Sequence, residues 1–116
     1  MENNVLLDIA KKLAVDITTW CDKKENAFMF KREFLKCGLM LGALIYEAQF
    51  IQKRKIFMYN LELALNQCSQ LEYWLELLKD TNKMDKALFK TLKGNAELIR
   101  KTLLKICIKE KNKKHA

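Results

Sequence analysis

Seven apolar residues, Phe57, Leu61, Ala64, Cys68, Leu71, Leu75 and Leu78, are separated alternately by four and three positions. A helix turns once in 3.6 residues, so only this alternation keeps a side chain on one seam. The stretch just before it, from Cys37 to Phe50, is apolar almost all the way round, broken only by Glu47 and Gln49. A basic knot, Gln52-Lys53-Arg54-Lys55, lies between the two. The pattern is that of two helices joined by a tight polar turn, the first buried on more than one side.

Composition narrows the fold class further. The 116 residues include no proline and three glycines, and Gly38 and Gly42 fall inside the apolar stretch. Sheets and long loops need more turn-forming residues, so an all-α domain is expected, long enough to bury one core. The cysteines, Cys21, Cys37, Cys68 and Cys107, are scattered singly, and the one histidine is His115. This spacing offers neither a metal site nor a disulfide framework, and suits small buried hydrophobes in a reducing cytoplasm. The N-terminal residues carry an acid ahead of their apolar positions and no cleavage signature. The longest uncharged apolar run, Cys37 to Tyr46, is about half a membrane span, so a soluble, cytoplasmic protein is expected. There is no nucleophile–base grouping, Gly-rich phosphate loop or ligand cluster, which speaks against an enzyme and against a cofactor.

Taken in order, the chain reads as four helices. The first runs from about Val5 to Cys21, with Leu6, Ile9, Leu13, Ile17 and Trp20 inward. The second runs from about Phe28 to Gln52, and the third is the seam above, ending near Lys79. Asn82, three residues before Asp85, has the spacing of a cap for the fourth. That helix turns Leu88, Leu92, Ala96, Ile99, Leu103 and Ile106 inward, and Gly94 interrupts it without a visible reason. Short turns between long helices predict an antiparallel, up-down-up-down four-helix bundle over residues 1–108, followed by a frayed basic tail, 109–116.

Helix 2 has two apolar sides. Phe34, Gly38, Leu41, Ile45 and Ala48 suit the core, while Leu35, Leu39, Gly42, Tyr46 and Phe50 extend the surface outward. A second copy of the protein is the simplest cover for that outer side. The Gly38-x-x-x-Gly42 spacing allows a close backbone approach, either inside the bundle or between copies. Glu47 and Gln49 are read as structural hydrogen-bond or ion-pair partners, and Tyr73 and Trp74 as packing anchors.

Charge is distributed unevenly. Residues 1–82 balance 11 Lys and Arg against 11 Asp and Glu, whereas residues 83–116 hold 11 against Asp85, Glu97 and Glu110. The whole net charge of +8 therefore sits in the last third, an asymmetry suited to a polyanionic partner. Lys86, Lys90, Lys93, Arg100, Lys101, Lys105, Lys109, Lys111, Lys113 and Lys114 are the candidate phosphate contacts. A solvated lysine-rich face is the alternative.

Glu47-Ala48-Gln49-Phe50, then Phe57, Leu61, Ala64-Leu65 and Glu72-Tyr73-Trp74-Leu75-Glu76-Leu77-Leu78, resemble the family of 23S rRNA intervening-sequence proteins. Gly38, Leu41-Gly42-Ala43, Ile45 and Glu47-Ala48-Gln49 match that family's helix-2 pattern in register, and the likeness covers roughly residues 12–108. Cys37 and Met40 stand where its serines are usual, Leu44 replaces an asparagine, and Ile56 an aspartate. The resemblance implies a ring-like homopentamer of basic bundles. A related branch, the accessory variability protein of diversity-generating retroelements, implies binding of a reverse transcriptase and nucleic acid. Two functions are thus expected: a non-catalytic oligomer binding nucleic acid, RNA favoured, through the last helix, or a protein adaptor such as a reverse-transcriptase accessory.

Overall fold

The computed structural model describes residues 2–113, in which four helices follow one another: α1 (Glu2–Cys21), α2 (Lys31–Ala48), α3 (Arg54–Asp80) and α4 (Lys86–Lys113). Each packs on its neighbours in the chain, and α4 closes back on α1, giving the expected all-α bundle as a rod of 52 × 23 × 21 Å. Among the described residues no helix is long and apolar enough to cross a membrane.

The α3 seam does what its spacing predicts. Leu61, Ala64, Cys68, Leu71, Leu75 and Leu78 are at most 2% exposed, which makes α3 the most completely buried stripe of the four. Facing it are Leu13 and Ile17 of α1, Phe34 and Leu41 of α2, and Leu92, Ile99 and Leu103 of α4, all essentially dry. Each such Leu, Ile or Phe stabilises the fold by about 1.5–3 kcal/mol relative to exposure. Phe57, Ile9 and Leu88 are only partly covered at the margins of this core. Asn60 and Glu72 are the buried polar residues among those described, and the Asn60 Nδ2 donates to Leu44 O at 2.8 Å, tying α3 to α2.

Helix ends depart from the sequence expectations for identifiable reasons. α2 starts at Lys31, because Phe28 and Phe30 leave the helix path for an aromatic cluster. Trp20 and Phe28 lie 5.5 Å apart, Phe28 and Phe30 4.8 Å, and Phe30 stacks on Trp74 at 5.2 Å. α2 ends at Ala48, with Gln49 as C-cap and Phe50 in the following turn. α3 takes Arg54 and Lys55 into its first turn, so half of the basic knot is helical. Asn82 proves to end α3 rather than begin α4. With φ at 55° it adopts the left-handed conformation, Lys83 N donates to Leu78 O and Asn82 N to Lys79 O, the paired bonds of a Schellman ending. Asp85 alone caps α4, its Oδ2 accepting from Ala87 N and Leu88 N at 3.1 and 3.2 Å.

The expected frayed tail is helical through Lys113. Arg54 holds it, with Nε 3.2 Å from Glu110 Oε2 and Nη2 donating to Glu110 O at 3.0 Å. Lys114 and His115 lie outside the described residues. Other structural assignments also change. Glu47 and Gln49 are exposed, and Glu47 makes no ion pair among the described residues. Tyr73 is exposed as well, so only Trp74 of that pair is an anchor.

The helical glycines divide by neighbourhood. A Cβ at Gly38 would stand 2.8 Å from Ile17 Cδ1, and one at Gly42 3.8 Å from Ala10 O. Gly38 therefore serves the α1–α2 crossing, whereas Gly42 faces α1 at ordinary contact distance, with room for a methyl group, and belongs to that side rather than to the outer stripe of α2. Gly94 has nothing within 4 Å, and no structural feature explains it. Opposite outcomes are expected in urea titrations. Gly94→Ala should stabilise by about 0.5–1 kcal/mol, and Gly38→Ala should destabilise by about 1–3 kcal/mol because the fully buried Ile17 side chain must swing its Cδ1 aside and repack.

Candidate nucleic-acid interface

A cation that already has a carboxylate partner is a poor phosphate ligand, so the neighbours of α4 decide which of its charges are available. Glu72 on α3 is 9% exposed, a burial that requires nearby cations. Arg100 Nε donates to Glu72 Oε2 at 2.6 Å and Nη2 to Oε1 at 3.4 Å. Lys93 Nζ lies 2.9 Å from Glu76 Oε2 and 3.7 Å from Glu72 Oε1, while Lys79 approaches Glu76 Oε1 at 3.1 Å. Lys93 and Arg100 are thereby removed from the candidate contacts and become the staple between α3 and α4. Lys113 is paired with Glu110 at 3.4 Å.

The titration behaviour follows this wiring. Lys93, then Lys79, hold the Glu76 carboxyl below the usual range, and the hydrogen bond to Glu76 pushes the Lys93 ammonium up. The hydrogen bond to Glu72 likewise raises Arg100.

Lys86, Lys90, Lys101, Lys105 and Lys109 are all exposed and make no ion pair among the described residues. They follow the outer side of α4 over about 35 Å, at 1.5 Å per residue. Leu98, Leu104 and Ile108 are exposed on the same helix. Lys111, also exposed, borders the start of α3.

At that end of the bundle the chain brings together two basic segments that are far apart in sequence. Arg54 and Lys55, from the first turn of α3, meet the last turns of α4, with Lys53 just before them in the α2–α3 turn. Beside the Arg54–Glu110 pair a cleft of about 490 Å³ opens between Lys55, Met58, Tyr59 and Glu62 of α3 and Lys111 of α4. A more open hollow of about 410 Å³ lies beyond Arg54, against Ile51, Gln52 and Phe57. The convergence could have been inferred from up-down topology, which puts the second connection and the C-terminal end of α4 on one side. The consumption of Lys93 and Arg100 had its signal too, in Glu72 and Glu76 one turn apart on the adjoining helix.

The outer stripe of α2 is apolar in fact. Leu39, Tyr46 and Phe50 are 48, 54 and 68% exposed, enough to form a patch, and Leu35 is partly covered beside them. The Tyr46 and Phe50 rings meet edge to face at 5.4 Å. The four thiols are buried and separate, and burial pushes each one up, Cys68 to about 12. Such thiols are inert, not activated nucleophiles. Among the described residues no group of three or more His, Cys, Asp or Glu side chains comes together to hold a metal ion.

An antiparallel four-helix bundle with a buried carboxylate clamp and a lysine-lined last helix defines the class. The profile of the 23S rRNA-intervening sequence proteins matches residues 2–105, and the chain belongs to that family. It is similar in structure to a protein of unknown function of the S23 ribosomal protein family from Bacteroides thetaiotaomicron VPI-5482. The TM-score is 0.86 and the identity 30%, over 92% of this chain and 98% of that one. No curated protein matches the chain.

Two outcomes are expected here. Because the folded pKa of Glu76 is depressed, its pairing stabilises the protein above the ordinary value of 4.5 and is lost as pH falls below it. Glu76→Gln should therefore lower Tm near neutrality and show a flatter acid limb, read by thermal melts between pH 3 and 7. Arg54→Ala should speed hydrogen exchange of amides 107–113 by roughly two- to tenfold, leaving the α3 core unchanged.

Proposed function

We propose that this protein is a non-catalytic module that binds nucleic acid, RNA in preference, through phosphate contacts along the outer side of α4. The observation that carries this is the run of Lys86, Lys90, Lys101, Lys105 and Lys109, exposed and unmatched by carboxylates among the described residues. Lysine presents a point charge rather than a planar fork, so such a face grips a phosphate backbone with little reading of bases. The family's link to intervening sequences of 23S rRNA favours RNA as the ligand.

Self-association accompanies binding in this reading. The exposed Leu39 and Tyr46 of α2, with Phe50 of the turn after it, supply an apolar surface that a second copy would cover, and a ring-like pentamer is the assembly the resemblance implies. Repeating the lysine face around a ring multiplies weak phosphate contacts into useful affinity. A second reading has one observation in its favour: Leu98, Leu104 and Ile108 interleave apolar surface with the lysines, as a protein partner such as a reverse transcriptase would require.

The decisive measurement is retention of labelled single-stranded RNA across a salt series, with the protein's mass determined in the same buffer. Wild type should bind as an oligomer, with affinity falling steeply as salt rises. Replacing Lys101, Lys105 and Lys109 by glutamate should abolish binding at moderate salt, and at low salt reduce the log–log slope by about 2 per bound chain. Unchanged affinity in that variant would sink the assignment and leave the face to a protein partner.

A further inference from the structure

We infer that the cleft between the start of α3 and the end of α4 seats one unpaired base of a bound strand. Tyr59 is its stacking platform, and Lys55 and Lys111 hold the flanking phosphates. The inference rests on the nucleic-acid reading above and deepens it by naming what part of the strand enters the protein.

The cleft has the size and chemistry of such a pocket. About 490 Å³ lies within the range of small-molecule sites, and it combines apolar and cationic walls. Tyr59 is 61% exposed, leaving its ring open for a partner, and Met58 adds apolar surface beside it. A large ring left open next to lysines is the arrangement that binds single strands, because every base offers a π-face and every nucleotide a charge. The Arg54–Glu110 pair, bonded through both side chain and backbone, fixes the two helices that form the walls.

Lys111 lies about 15 Å along α4 from Lys101 and is turned about 80° from it around the helix. A strand held by the outer lysines therefore crosses the edge of α4 to reach Lys111 and Tyr59.

Glu62 gives the site a preference. It lines the cleft and has no cationic partner among the described residues. A carboxylate only accepts hydrogen bonds, so it matches an exocyclic amino group better than the single N3–H of uracil, which is flanked by two carbonyl oxygens that the carboxylate repels. Adenine, cytosine and guanine carry such a group, and uracil does not.

The test is an oligouridylate carrying one central 2-aminopurine, whose fluorescence falls on stacking. Addition of wild-type protein should quench it, and oligoadenylate should displace it better than oligouridylate. Tyr59→Leu, at an exposed position, should remove the quench and weaken binding roughly five- to hundredfold while keeping the salt slope. Glu62→Gln should level the competition between the two homopolymers without losing the quench. The variant with glutamates at 101, 105 and 109 should instead lose slope but still quench at saturation. Salt-dependent binding without a quench, or an equal quench in Tyr59→Leu, overturns the cleft alone. No binding at any salt overturns the phosphate reading with it.

Discussion

Burying a carboxylate is unfavourable unless cations and hydrogen bonds replace the lost water, and the packing of α4 on α3 is arranged around that demand at Glu72. Arg100 and Lys93 answer it from the neighbouring helix. Seams of Leu, Ile and Ala alone could slide by a turn with little change in buried area. An ion pair of fixed geometry allows one register, the best-attested use of buried charge in helical assemblies. That register in turn decides which lysines of α4 face outward. The clamp on the inner side and the free cations on the outer side are consequences of the same alignment.

The rod differs at its two ends. One is closed by the long α1–α2 connection, where Phe28 and Phe30 pack onto Trp20 and Trp74. This end is apolar and tightly filled, though the Trp74 indole N–H is buried without a hydrogen-bond partner and lies beside the Cys37 thiol. The other end gathers Arg54, Lys55 and Lys111 around the cleft and Arg54 and Lys113 around the hollow beside it. Short connections and a single well-placed arginine leave that end both charged and incompletely filled.

The fold was legible because it depends on periodicity. The alternation through Phe57, Leu61, Ala64, Cys68, Leu71, Leu75 and Leu78 located α3 and its buried side, and similar stripes located the other three helices. What periodicity does not encode is where a helix yields to a better local bond. Asn82 and Asp85 both look like caps in sequence, and only backbone geometry assigns the first to the end of α3 and the second to the start of α4. Pairing across helices is similarly hidden. Arg100 and Lys101 are neighbours in sequence, yet one is bonded to Glu72 and the other is exposed, a difference set by about 100° of helix rotation. The cleft joins residues 55–62 to residue 111, and no local pattern announces a site assembled over such a separation.

Four thiols distributed one per helix or helix end, each buried and each with its pKa raised, make the folded bundle silent toward oxidants and alkylating agents. Cys68, dry at the middle of α3 with its Sγ donating to Ala96 O at 3.1 Å, can be reached only when α3 and α4 part. Cys21, at the end of α1, and Cys107, near the end of α4, need only local fraying. The chain thus carries a built-in set of chemical clocks, in which the order of thiol modification records the order in which the helices come apart.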